Sequence, residues 1–203
     1  MAPRMQARMA VRDAMRLVIW SAIGVAATTL VGCGGGSTWR AVPGESLAQP
    51  QQAQRVRAEQ ARDALGKQLL GELTAALAQS PANAITVCKE RAPAIAAEVA
   101  KANSLRIGRT SAKLRNPLNE TPAWAADHVA KGEAQPAWFV GPNGELGALY
   151  PIVTMPVCVQ CHGKVEALAP EVHDALRANY PRDRATGFAA GDLRGWFWVE
   201  VGS

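Results

Sequence analysis

Two cysteines three positions apart, Cys158 and Cys161, are followed directly by His162. This spacing is that of a covalent attachment site for a c-type haem. Each thiol can form a thioether with one vinyl group of a porphyrin, and the adjacent imidazole can then bind the iron from one side of the ring. The motif therefore predicts one covalently bound haem c, with His162 as an axial ligand of the iron.

Two other chemistries use a Cys-x-x-Cys pair, namely a redox-active disulfide and a zinc site. Neither needs the adjacent histidine. A zinc ribbon would require a second pair of ligands, whereas the remaining cysteines, Cys33 and Cys88, stand far apart. A thioredoxin-like motif starts a helix after a strand, whereas Pro156 and Gly163 bracket this motif and predict a loop. We favour haem and keep the other two as alternatives.

The N-terminal segment combines positive charge with a short apolar run. Four arginines precede an uncharged run of 15 residues, 17–31, which is shorter than the roughly 18 to 20 apolar residues that a membrane-spanning helix needs. The run ends in Leu-Val-Gly-Cys, which resembles the lipobox of bacterial lipoproteins. We expect residues 1–32 to be a lipoprotein signal peptide and Cys33 to carry the lipid. Cleavage among the glycines that follow is the alternative.

Lipidation of Cys33 would place the protein in the periplasm, attached to a bacterial membrane by its acyl chains. Residues 33–54 are rich in Gly, Gln, Pro and Ala and predict a flexible tether to one domain, residues 55–203. Loss of residues 1–32 would lower the formal charge from +5 to +2. No basic stripe is interleaved with aromatic residues, so we expect no nucleic-acid partner.

The hydrophobic pattern predicts helices first and strands afterwards. Leucines four residues apart indicate a long helix over residues 51–79, and Ser80 followed by proline starts a second helix that reaches residue 103. Strands are predicted at 105–108, 137–140, 146–153 and 195–201, and short helices at 124–131 and 166–178. This order predicts an α+β domain with an antiparallel sheet, whose core we expect to contain Trp138, Tyr150 and Phe197.

The residues alone leave the identity of the second axial ligand undecided. The candidates are Cys88, Met155, His128, His173, water or no ligand. Met155 is too close to the attachment motif to reach the opposite face of the haem, and both histidines have polar neighbours typical of a surface. Cys88 lies in the apolar stripe of the second helix, where a small buried residue is the ordinary interpretation. However, its lack of a disulfide partner is unusual in an oxidising compartment.

Several longer segments resemble the sequence signature of a known family, and they occur in the same order as in that family. They are CKERAPAIA at 88–96, IGRTSAKLRNPLN at 107–119, YPI at 150–152, CVQCHG at 158–163, YPRDRATG at 180–187 and GDLRG at 191–195. The chain resembles, over about residues 55–203, the single-haem PAS-like c-type domains, which occur as exported stand-alone proteins and as sensor modules of histidine kinases and cyclases. Val159 and Ala125 depart slightly from the family pattern. The resemblance implies a PAS-like antiparallel sheet with long N-terminal helices, and iron held between His162 and Cys88.

This ligation has functional consequences. A thiolate from Cys88 would favour ferric iron and a low reduction potential. Upon reduction Cys88 could leave and open a position for CO or NO. We expect three basic side chains to contact the haem propionates, and a buried pair between Arg194 and Asp183 to anchor the last strand. The three basic residues are Arg109, Lys113 and Arg115.

These features favour a redox or gas sensor. No kinase, cyclase or methyl-accepting segment is present in the sequence, so we expect the signal to pass to an unidentified partner protein. The alternative is a periplasmic electron-transfer cytochrome, with a redox partner in place of the signalling partner. We do not expect an enzyme, since peroxidase chemistry would need an open haem face beside an acid/base histidine or arginine.

Overall fold

The structure, a computed structural model, describes residues 38–203, and two long helices lie in the first half of this part. Helix α1 is Gln49–Leu77 and helix α2 is Pro81–Asn103. The Ser80 hydroxyl accepts a hydrogen bond of 3.0 Å from the Asn83 amide, and proline occupies the first turn, so α2 has both start signals that the sequence showed. Both predicted helices are confirmed, with bounds within two residues.

Residues 38–203 contain five strands, which form one antiparallel sheet and confirm the α+β class. Its strand order is β1-β3-β4-β5-β2. Strands β4 and β5 form the centre of the sheet, and Tyr150 lies opposite Phe197 in their register. The strands are β1 Arg40–Val42, β2 Arg106–Thr110, β3 Ala137–Val140, β4 Leu146–Val153 and β5 Leu193–Val201.

The sheet buries different side chains on its two faces, because successive residues of a strand point in opposite directions. Tyr150 and Val199 face α1 and α2 in the largest core cluster. Trp196 belongs to a second cluster with Phe139, and it is the largest fully buried side chain. The predicted core is therefore corrected in part. Tyr150 is buried, but Trp138 and Phe197 are half-buried at the margin of the first cluster.

The predicted tether is wrong from residue 40 onwards. Strand β1 pairs with β3, with Arg40 opposite Val140, and Val42 and Leu47 form a small core with Leu146. A strand of three residues has no visible periodicity, and its pairing depends on contacts about 100 residues away. Residues 1–37, which include the predicted signal peptide and Cys33, lie outside the described residues. Within residues 38–203 no helix has an apolar stretch long enough to cross a membrane.

Short helices connect β4 to β5 and carry the Cys-x-x-Cys-His motif. A 3₁₀ turn, Pro156–Cys158, runs directly into helix α4, Val159–His162. The motif thus forms one and a half helical turns, where the sequence predicted a loop. Helix α5, Pro170–Asn179, follows and packs on α2 through Val172 and Leu176. The short helix α3, Ala126–Lys131, lies before β3.

Candidate haem-binding site

A cavity opens between the two long helices, α4 and the β2–β5 side of the sheet. Its empty space measures about 1350 Å³ including its open mouth. Cys158, Cys161 and His162 line it from α4 and the preceding turn, and Cys88 lines it from α2. The walls are mostly apolar, and they include Leu69, Leu73, Leu77, Ile85, Ile152 and Phe197. This explains why Phe197 is only half-buried.

One ring nitrogen of His162 is held by the backbone. The Nδ1 atom lies 2.7 Å from the carbonyl oxygen of Ala185. A carbonyl can only accept, so Nδ1 carries the hydrogen and Nε2 is the free nitrogen. The Nε of Arg194 lies 3.3 Å from the same Nδ1, but arginine has no acceptor and this nitrogen has no lone pair left. Arg194 therefore acts on His162 as a nearby positive charge and does not form a second hydrogen bond with Nδ1.

His162 stays neutral in this environment. Burial lowers the pKa of His162 to about 2, and the nearby guanidinium groups of Arg115 and Arg194 act in the same direction. The neutral imidazole is the form that binds metals, and metal-bound histidines almost always donate their other N–H to a carbonyl, carboxylate or water. His162 thus has the protonation state and the hydrogen bond of an iron ligand.

Arg115 is engaged with the protein itself. Its Nε donates to Oδ2 of Asp183 at 3.1 Å, and its Nη2 donates to the carbonyl oxygens of Cys161 and of Ala185. Both side chains of this ion pair are about one-tenth exposed. The structure therefore corrects one prediction, because Asp183 pairs with Arg115 and not with Arg194. Arg115 also lines the cavity, and its contact with a propionate stays a prediction.

The other two propionate candidates differ in position. Arg109 lines the cavity, and burial lowers its pKa. Within residues 38–203 no carboxylate lies within 4.0 Å of the Arg109 guanidinium. Lys113 is exposed and does not line the cavity, and its Nζ lies 5.0 Å from the centre of the Phe188 ring. A cationic wall residue without a carboxylate suits an anionic cofactor, so Arg109 fits a propionate contact best.

The cavity also narrows the choice of the second axial ligand. His128 lies on the other face of the sheet, with its Nδ1 3.3 Å from Oε2 of Glu133. The Nε2 of His173 lies 2.9 Å from the Val165 carbonyl oxygen. Neither histidine lines the cavity, whereas Cys88 and Met155 both do.

The cysteines of the described part of the chain are free thiols. Burial raises the pKa of Cys88 and of Cys161, while the guanidinium of Arg115 acts in the opposite direction on both. A metal would therefore have to displace the proton from Cys88, as metals do from thiol ligands. The zinc alternative finds no ligand set, since residues 38–203 contain no group of three or more His, Cys, Asp or Glu side chains placed to hold a metal.

Sequence reasoning missed the segment that surrounds His162. The Phe188 amide donates to the His162 carbonyl at 2.9 Å, and the Gly187 amide donates to the Gly163 carbonyl at 2.7 Å. Tyr180 lines the cavity near Cys88. The available signal was the similarity of residues 180–187 to the family pattern. It assigned these residues no role, because every residue has a backbone carbonyl and the sequence does not show which one accepts a hydrogen bond.

The residues present fit a covalently attached haem. Two thiols, a neutral imidazole held through Nδ1 and a cysteine on the facing helix surround one apolar cavity with an unpaired arginine in its wall. This α+β fold and the lining of this cavity define the class as a haem-protein domain.

Comparisons with known proteins agree with this class. The model of the Tll0287-like family matches residues 6–202, and the chain belongs to that family. The structure is similar to the crystal structure of the cyanobacterial heme-protein Tll0287, with a TM-score of 0.58 and 24% identity over 77% of this chain and 98% of that chain. At this identity the likeness shows the fold. No curated protein matches the chain significantly.

Proposed function

We propose that the protein is an exported c-type haem protein that acts as a redox or gas sensor. A single haem is attached through Cys158 and Cys161, and the axial ligands are His162 and Cys88. The observation that carries this proposal is the meeting of all four side chains in one apolar cavity, with the Nδ1 of His162 held at 2.7 Å from a carbonyl. When bound, the haem supplies a one-electron redox centre and, with one axial position open, a site for a small gas.

The two axial residues are held differently, and this supports a switch at Cys88. His162 is fixed by its hydrogen bond and by the backbone of residues 187 and 188. Cys88 has no hydrogen bond to its sulfur among the described residues and is half-buried. A thiolate at this position also favours the ferric state, so we propose a low reduction potential with Cys88 as the ligand that leaves.

Arg109 extends the proposal to the haem carboxylates. Its guanidinium lies in the cavity wall, and no carboxylate of residues 38–203 lies within 4.0 Å of it. Arg194 also lines the cavity and also has no carboxylate of these residues within 4.0 Å. Burial lowers the pKa of Arg194 to about 10, so this side chain remains a cation at neutral pH. An arginine fork binds a carboxylate in a bidentate manner, and Arg109 would therefore orient the propionate side of the ring.

The proposal includes a location and a partner. A signal peptide over residues 1–32 and lipid on Cys33 would hold the protein at a bacterial membrane, on the periplasmic side, because haem attachment to cysteines belongs to exported proteins. A signalling partner would receive the change at Cys88. We propose no enzymatic activity.

One observation favours the alternative, a periplasmic electron-transfer cytochrome. Leu70 and Met155 line the mouth of the cavity and are 43% and 42% exposed. An apolar rim of this kind is a surface that a redox partner could contact, since exposed apolar groups at a site mark interaction surfaces.

Mass spectrometry and CO titration test the proposal on protein exported with haem-maturation factors. We expect the mass of the mature chain to include one haem, and the Cys158→Ser, Cys161→Ser double variant to lose it, while His173→Ala keeps it. Wild-type protein without haem mass, and colourless in a peroxidase-stained gel, would refute the haem proposal. With haem present, CO binding to the reduced protein supports sensing, and no binding at any CO concentration favours electron transfer.

A further inference from the structure

Arg115 joins the two segments that meet at His162. The guanidinium donates to the carbonyl of Cys161, which belongs to the attachment motif, and to the carbonyl of Ala185, which lies in the loop before β5. The Ala185 carbonyl is the same group that accepts the hydrogen bond from His162 Nδ1. One side chain thus fixes both the motif and the acceptor that holds its histidine.

Asp183 completes this arrangement from the loop side. Its Oδ2 accepts from Arg115 Nε at 3.1 Å, and its Oδ1 accepts from the Ala185 amide at 2.8 Å. The second bond is an Asx turn, in which a short acidic side chain holds the backbone two residues later. The amide of Ala185 is therefore held by Asp183 while its carbonyl is held by Arg115, so the peptide groups on both sides of this residue are constrained.

We propose that Arg115 and Asp183 are positioning residues for His162. They hold the Ala185 carbonyl where it fixes the plane of the imidazole and the strength with which Nε2 donates to a metal. The inference rests on the proposed function, in which His162 is an iron ligand.

The physical basis is the rigidity of the hydrogen bond to Nδ1. A hydrogen bond from Nδ1–H to an acceptor increases the electron density on the ring and its basicity at Nε2, and such partners orient metal-bound histidines. The ion pair is about one-tenth exposed, so solvent screens it little and its geometry persists. Without the pair, the loop carbonyl could move away from Nδ1, the ring could rotate, and Nε2 would become a weaker donor.

Two variants separate positioning from charge. Arg115→Lys keeps the positive charge but loses the planar fork that reaches three acceptors at once. Asp183→Asn keeps an oxygen for the Asx turn but loses the ion pair. The controls are Arg177→Lys and Asp174→Asn, because this ion pair on α5 is 79% and 71% exposed and neither side chain lines the cavity.

The readouts are haem mass, the midpoint potential and the ferric EPR spectrum of the full exported protein. We expect both variants to keep the thioethers and to raise the potential, with the ferric-to-ferrous ratio at the wild-type midpoint falling about tenfold, the same size as the effect that losing the hydrogen-bond partner of a metal-bound histidine has on metal affinity. The ferric EPR signal should change in its g values, since these follow the plane of the imidazole. Both control variants should match the wild type in all three measurements.

A potential and an EPR spectrum unchanged in Arg115→Lys would overturn the inference, even if Asp183→Asn fails to accumulate. An equal shift in the control variants would overturn it as well, because it would then reflect charge or general stability. Haem-free wild-type protein would overturn the proposed function and this inference together. Haem-loaded wild type with unchanged variants would overturn only the inference.

Discussion

The histidine of the motif is prepared for a metal by a backbone group. The Ala185 carbonyl fixes the hydrogen on Nδ1 of His162, and burial among guanidinium groups keeps the ring neutral. Both effects leave Nε2 as the only ring nitrogen with a lone pair that can bind a metal. Cys88 differs, since burial raises the pKa of its thiol and it becomes a ligand only by losing a proton to the metal.

Cys88→Ala tests the second axial ligand. We expect the variant to keep its thioether-bound haem but to lose the six-coordinate low-spin spectrum of the ferric protein, because alanine offers the iron no donor atom. The result should be a five-coordinate or water-ligated form, seen in the Soret band and the EPR spectrum. Met155→Ala is the matched control, since Met155 is the other sulfur side chain that lines the cavity and is not already in the motif, and its spectrum should not change. A Cys88→Ala spectrum identical to that of the wild type would contradict the assignment.

Among the helices and strands, the long helices form where the local sequence starts them, whereas contacts between strands shape the wall of the cavity. Ser80 and the proline after it start α2, which places Cys88 against the cavity. Strand β5 begins beside the cavity, where Gly195 lies opposite Ile152 of β4 and packs directly against the carbonyl of Thr110 of β2. Glycine is needed at this point because a side chain would occupy the space of a backbone atom.

Gly195→Ala should lower the stability of the protein. The added Cβ would overlap the Thr110 carbonyl oxygen, which belongs to the backbone of β2 and cannot rotate away. We expect the free energy of unfolding to fall by about 1–3 kcal/mol, the usual cost of overpacking, as measured by urea denaturation. Gly71→Ala is the control, because Gly71 lies inside α1 with no atom within 4 Å of an added Cβ. That variant should be more stable by about 0.5–1 kcal/mol, and equal effects of the two substitutions would contradict the packing argument.

At the scale of the molecule, the cavity is built from distant parts of the chain. Helices α1 and α2 form one side, and the motif and β5 form the other. The segment before α1 is part of the same fold, because β1 covers the outer edge of β3 and Trp39 stacks on Trp124 with ring centres 5.3 Å apart. An open sheet edge is thereby shortened, which reduces the risk of edge-to-edge pairing.

Deletion of residues 38–54 tests the corrected domain boundary. The deletion removes β1 and the start of α1 and exposes the apolar groups that Val42 and Leu47 cover. Each of these side chains contributes about 1.5–3 kcal/mol when fully buried, so we expect a clearly lower melting temperature and more aggregation. Deletion of residues 34–36, within the predicted tether, is the control and should leave the melting temperature unchanged. A stable, monomeric protein that begins at residue 55 would restore the original boundary.

Features whose causes are local follow from the sequence alone. Covalent attachment of a haem requires the spacing of Cys158, Cys161 and His162 within five residues. The periodicity of α1 and the Ser80 cap of α2 likewise act within one or two helical turns. These predictions needed no knowledge of distant contacts. The α+β class followed from the same local signals taken in order.

Which distant groups meet depends on the packing of the folded chain. Arg115 pairs with Asp183, 68 positions later, and His162 donates to a carbonyl 23 positions later. The pairing of β1 with β3 and the position of Phe197 in the cavity wall are of the same kind. Such partners depend on how helices and strands pack, since an arginine or a backbone carbonyl is equally able to bind many groups, and packing alone selects the one within reach.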